Sequence, residues 1–262
     1  MITVTSWGLA TSIVDAGRPG RAWLGQSRGG AVDVSSLRLA NRLVGNTEAA
    51  AAFETSGGLA LAFDAPTMVA AAGAVATIVV TGAPALGWGA PVALPAGATL
   101  RVGRLEQGAR LYLAVRGGCG APAGNHCSVG PDPGTPVALQ AAPRPELPGT
   151  IRLWPGPRLD WFADGTWQQL LSEEFLVTAT SRVGTRLSGA RLQRTANGEL
   201  PSEGVLEGAV QVPPDGDPIV MLADHPTTGG YPVVAVVDPG DVSVIAQAAP
   251  GARIRFRGAV RL

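Results

Sequence analysis

Short runs of alternating or uniformly apolar residues, most of them closed by Gly or Pro, recur along the chain and predict strands. The first is Ile2 to Ser6 (ITVTS). Residues 13 to 32, IVDAGRPGRAWLGQSRGGAV, carry Gly and Pro at close intervals and read as loop. The period then changes. Asp33 fits a helix N-cap before VSSLRLANRLVG, with apolar residues at 34, 37, 39, 40, 43 and 44, and Gly45 and Asn46 stop the helix. A shorter helix is expected at Glu48 to Phe53. From Leu59 to Arg116 the pattern predicts strands only, at 59–63, 67–73, 76–82, 98–103 and 109–115.

The second half repeats this style. Strands are expected at 150–155, 174–180, 205–213, 218–223 and 231–237, with a helical patch at 158–172 whose apolar side holds Trp161, Phe162, Trp167, Leu170 and Leu171. Asp238-Pro239 reads as an N-cap with Pro at the first helical position, opening a helix to about Gln247. ARIRFRG closes the chain as a strand. Residues 117–149 are rich in Gly and Pro, and Pro143, Pro145 and Pro148 mark the expected boundary between units at 1–145 and 150–262. Two related β-barrels suit this order of elements, although no exact repeat is visible.

Composition narrows the chemistry. Of 262 residues, 20 are basic and 20 acidic, so no basic stripe points to nucleic acid. There is no Lys, which excludes Schiff-base chemistry and the Lys of a phosphate-binding P-loop. Cys119 and Cys127 form no disulfide framework, and with only two His no metal centre is expected. The N-terminus has no basic start or long apolar run, and 68–81 is shorter than the ~20 residues of a membrane span. A cytoplasmic protein without membrane contact is the expectation.

Polar residues gather in four places. ADHPTTGGYP (223–232) lies between two apolar strands. Asp224 or His225 can act as a base or orient one, Thr227 and Thr228 bring hydroxyls, and Gly229 and Gly230 let backbone N–H groups approach a ligand, with Tyr231 beside them. The ordinary alternative is a hairpin turn. SRVGTRL (181–187) offers Arg182 and Arg186 to an anion, or is a loop of solvated arginines. Glu203 is a possible acid or base and Gln211 a possible amide reader; both also suit turns and strands. RPGRAWLGQSRGGAVD (18–33) places glycines before a helix N-terminus, where an anion is favoured, although Asp33 partly opposes this.

In this order the stretches resemble the KipA family, whose members are also called allophanate hydrolase subunit 2 or the C-type 5-oxoprolinase subunit, and the second half of the urea carboxylase carboxyltransferase domain. The matching stretches are IVDAGRPGRAWLG, GGAVD with LRLANRLVGN, RLYLAVRGG, SRVGTRL with LPSEGV, GAVQVPPDGDPIVMLADHPTTGGYP and APGARIRFRG, between about residues 8 and 257. The resemblance implies a mainly β protein of two cyclophilin-like β-barrel units with a few short helices. It implies a KipI-like partner, and in the 5-oxoprolinase branch a LamB/YcsF-like protein as well. No cofactor is expected in this chain, with ATP or carboxybiotin supplied through partner proteins. The substrate would be a small cyclic or ureido amide. The chemistry would use Asp224 or His225 as proton acceptor, with Thr227, Thr228, Gly229 and Gly230 facing the developing oxyanion, and Arg182 or Arg186 on a substrate carboxylate. After YLAVRGG the chain departs from the family: CGAPAGNHCSVGPDPGTPVAL is shorter and lacks a G-S-R-S-T-like run, and Thr185 stands where relatives carry an aromatic. That departure opens a second reading, a catalytically inactive regulator that binds a KipI-like kinase inhibitor.

Overall fold

A computed structural model describes residues 1–135, 149–195 and 200–260. The expected boundary prolines at 143, 145 and 148 lie outside the described residues. The chain is mainly β and divides into two compact units. The first comprises Met1–Gly17 with Asp33–Glu146, the second Arg18–Val32 with Leu147–Leu262. The loop at 18–32 thus belongs with the C-terminal part of the chain.

In the first unit, eight strands form one open sheet whose buried face carries Ile2, Val4, Phe53, Leu61, Leu100, Leu111 and Leu113. The runs at 67–73 and 76–82 are one strand, Thr67–Val80, and those at 98–103 and 109–115 are one strand, Thr99–Val115. The two pair antiparallel along their length. The glycines that look like stops are irregularities within the strands: Gly73 has φ +85° at a register shift, and Gly103 lets Thr77 O come to 2.9 Å of where a Cβ would stand.

The helix expected at 48–53 is absent. Ala52–Thr55 is a strand with all four residues buried, paired with Leu111–Leu113 on one side and Ser12–Val14 on the other. Alanine-rich propensity there yields to burial between two neighbours. The helix after Asp33 spans Val34–Leu43, and the Asp33 carboxylate accepts hydrogen bonds from Ser36 N (3.0 Å) and Ser36 Oγ (2.6 Å). The helix N-terminus read as an anion site is therefore already occupied by the chain's own carboxylate. Asp33→Ala should lower stability by about 1–2 kcal/mol, seen as a lower urea midpoint at unchanged slope.

In the second unit seven strands close into a barrel, in the order Glu174–Thr180, Gly184–Ser188, Ile219–Met221, Ala209–Gln211, Val233–Val237, Thr150–Pro155 and Arg253–Gly258, which returns to the first. All pairs are antiparallel except Arg253–Gly258 with Thr150–Pro155. Leu153, Phe175, Val177, Leu187, Val210, Val220, Val234 and Phe256 fill it, with the Phe175 and Phe256 rings 5.5 Å apart. The SRVGTRL stretch is largely a strand: Thr185 and Leu187 point inward, and the Thr185 and Thr180 hydroxyls meet at 3.0 Å. The helical patch at 158–172 is two pieces, a single turn at Leu159–Trp161 and a helix at Thr166–Ser172, broken where Gly165 takes φ +84°. Asp238 caps the turn at Pro239–Asp241 as expected, accepting from Gly240 N at 3.0 Å, and the helix Val242–Ala246 follows. Among the described residues no helix is long and apolar enough to cross a membrane.

Candidate functional site

The strand Ile219–Met221 runs off the barrel into a tight turn. Leu222 N donates to Val183 O, Asp224 N to Arg182 O (3.0 Å), and His225 N back to Leu222 O. The chain then extends, and Thr228–Gly229 pairs antiparallel with Glu203–Gly204. Val205 N donates to Thr227 O (2.9 Å), so the two segments are laced together beside the barrel. Gln211, buried, reaches from the barrel strand below and donates through Nε2 to Tyr231 O at 3.2 Å. Gly229 permits this packing, because a Cβ there would stand 2.9 Å from Gln211 Nε2.

The 181–184 and 223–231 loops do meet. The Arg182 guanidinium grips Asp224 with two bonds, Nε to Oδ2 at 2.7 Å and Nη2 to Oδ1 at 3.0 Å, and Nη2 also donates to Gly30 O at 2.6 Å. Gly29 N donates to Ala223 O at 3.0 Å. Arg182 and Asp224 therefore clamp the 27–30 loop, and both carboxylate oxygens of Asp224 are already engaged. Arg186 projects from its strand to the exposed Asp215. Glu203 is held by Arg158, whose hydrogen bond keeps its carboxyl below the ordinary range. Thr228, Gly230 and Tyr231 are exposed.

A cavity of about 220 Å³ opens beside this loop. Of the eleven candidate residues read from the sequence, His225 and Thr227 line it. The rest of its wall comes from Arg18–Ala22, Gln26, Ser27, Arg28 and Val205–Glu207. Arg28 is spent on Glu207, with two bonds of 2.8 Å. His225 is only 6% exposed, and its Nδ1 lies 2.8 Å from Pro226 O. A carbonyl can only accept, so Nδ1 carries the proton and Nε2 of the neutral ring keeps a lone pair.

The 181–184 and 223–231 loops and the barrel beneath them fall within one family match. The profile of the carboxyltransferase domain, subdomains A and B, matches residues 24–126 and 123–258. The chain belongs to that family. An Escherichia coli protein named as a 5-oxoprolinase subunit is 34% identical over 98% of this chain and 90% of its own length. The crystal structure of TTHA0988 superposes with a TM-score of 0.84 at 35% identity over 98% of this chain, which spans 56% of that longer protein. The Kluyveromyces lactis urea amidolyase structure gives 0.87 at 25% identity, the match covering 99% of this chain and 19% of that one. The family therefore includes both a protein of similar length and much longer chains. The 18–33 stretch is marked in the sequence as a place for an anion at a helix N-terminus; the structure instead puts Arg18, Arg21, Gln26 and Ser27 in the wall of the cavity that His225 lines, a grouping that no spacing along the chain signals.

Proposed function

We propose that this chain is a subunit of an ATP-dependent amide-processing enzyme of the 5-oxoprolinase type, acting with a KipI-like partner on a small cyclic or ureido amide. The observation that carries the reading is His225: nearly buried, lining a small cavity, with Nδ1 fixed by Pro226 O and Nε2 left as a proton acceptor. Beside it Thr227 lines the same cavity and supplies a hydroxyl to polarise an amide carbonyl. His225 would hold the proton that moves at the amide nitrogen. Arg182 and Asp224 act as positioning residues, fixing the loop that contributes Gln26, Ser27 and Arg28 to the cavity wall.

A cavity of this size suits a small ligand. With no Lys in the chain, a biotin group would have to arrive on another protein. ATP or carboxybiotin is accordingly assigned to partner proteins, with a LamB/YcsF-like protein as a further component in the 5-oxoprolinase branch. Trp23, 81% exposed, and Leu24 follow the cavity-lining Ala22, and exposed Leu206 lies in the wall itself. This apolar rim suits a partner protein that closes over the cavity.

Co-expression with the KipI-like and LamB/YcsF-like partners and an assay of glutamate released from 5-oxoproline test the reading. ATP-dependent release that requires this chain is expected. A stable complex with no release would sink the enzymatic role and leave the regulator reading.

A further inference from the structure

We propose that Arg158 is a positioning residue: through Glu203 it latches to the barrel the short ribbon that carries Val205 and Thr227 into the cavity wall. The inference rests on the enzymatic reading above and names what sets the geometry of that site.

The ribbon needs such a hold because it lies outside the ladder of the barrel. Among the described residues, Glu203–Gly204 and Thr228–Gly229 pair with each other as a separate two-stranded sheet. The bond from Val205 N to Thr227 O, 2.9 Å long, carries the pairing on to the cavity, and both of these residues line its wall. Two strands of two residues each have little stability of their own. Their position is set at the two ends. At the inner end the buried Val205 packs with Ala209, Met221 and Val233, and Gln211 Nε2 donates to Tyr231 O. At the outer end Arg158 holds the Glu203 carboxylate in a fork, Nε to Oε2 at 3.0 Å and Nη2 to Oε1. Arg158 is itself well anchored. Its backbone N donates to Val233 O at 3.1 Å, and Gly156 N donates to Val234 O at 2.9 Å, so this stretch is bonded to the barrel strand Val233–Val237. The same fork keeps the Glu203 carboxyl below its ordinary range, so at neutral pH it is a charged partner for the arginine and not a proton donor. Each member of the pair is about one-third exposed, so it adds little to global stability. Its effect is local. A displacement of about 1 Å at Thr227 is enough to slow a reaction that depends on aligned groups.

Amide hydrogen exchange, followed by NMR on the full chain, tests the latch without substrate. In R158Q the Val205 amide should exchange about 3- to 10-fold faster. The barrel amides of Leu187, bonded to Pro218 O, and Val237, bonded to Gly208 O, should keep their rates. E203Q and R158Q/E203Q should give the same increase at Val205 as R158Q, since each removes the same pair. In the complex reconstituted with the KipI-like and LamB/YcsF-like partners, R158Q should lower kcat for glutamate release about 5- to 50-fold and leave KM within about twofold. Unchanged exchange at Val205, an equal rise at Leu187 and Val237, or additive effects of the two substitutions overturns the proposal. An unchanged kcat in R158Q beside an active wild type also overturns it and leaves the enzymatic reading intact. A wild-type complex without turnover removes the enzymatic reading, and exchange at Val205 then decides the latch by itself.

Discussion

His225→Asn should lower turnover by about 10²- to 10⁴-fold, the range for loss of a general acid or base, with little change in stability. The choice of Asn follows from the geometry. Its amide N–H₂ sits near the position of Nδ1 and can keep the bond to Pro226 O, now 2.8 Å long. It carries no group at the place of Nε2. A larger truncation at this 6% exposed site would confound chemistry with packing. Steady-state glutamate release by the reconstituted complex, with the denaturant midpoint measured alongside, reads both effects. A fall of less than threefold would remove His225 from the chemistry. Asp224→Asn is the informative contrast, because its carboxylate holds Arg182, which in turn bonds Gly30 O. Its loss should raise KM more than it lowers kcat.

Tyr112→Phe should destabilise the first unit by about 1–3 kcal/mol, the cost of losing two hydrogen bonds between buried groups. Tyr112 is fully buried. Its hydroxyl donates to Glu54 Oε2 at 2.6 Å and accepts from Asp33 N at 2.7 Å. Glu54 and Asp33 are themselves buried, so water cannot replace what the phenol supplies. Urea titration gives the change directly, and pairing the substitution with Glu54→Gln, which keeps an acceptor oxygen but removes its charge, should give less than the sum of the two, since both act on the same bond. A loss below about 0.5 kcal/mol would show that the hydroxyl contributes no net stability, against the typical hydrogen-bond value.

The same residue sets an alkaline limit. Burial, then the neighbouring charges of Glu54 and Asp33, hold the Tyr112 phenol well above its usual 10.0. Below pH 10 folded and unfolded chains both keep this proton and the stability is fully present. Above it the unfolded chain releases the proton and the folded one retains it, so stability falls by about 1.4 kcal/mol per pH unit until the folded value is reached. Burial also pushes the Cys119 thiol up to about 12 from 9.0, which adds a loss of the same sign between those values. Tyr112→Phe removes the phenol's share of this slope above pH 10.

Much of the fold is legible along the chain because strands and caps are local. Ile2–Ser6, Thr150–Pro155 and Glu174–Thr180 fall where the apolar pattern puts them, and Asp33 and Asp238 cap where their side chains can reach the next N–H groups. The failures share one cause. Gly73, Gly103 and Gly108 read as stops, yet they lie within two long strands, because paired neighbours hold an irregular backbone that no isolated segment would keep. Ala52–Thr55 has helix-prone composition and becomes a strand because it has a partner on each side.

The candidate site divides the same way. Residue type alone marks His225, Thr227, Arg182 and Asp224 as groups able to move protons or bind anions. Which arginine is already committed is not a property of type. Arg182 meets a carboxylate 42 positions away and Arg28 one 179 positions away, while Arg18 and Arg21 meet none among the described residues. Local periodicity determined the β character, the cap positions and the set of reactive groups. Only the tertiary structure decided that the 18–32 loop belongs to the compact unit of residues 147–262, and which charges remain available there, because ion pairing depends on distance in space and not on spacing along the chain.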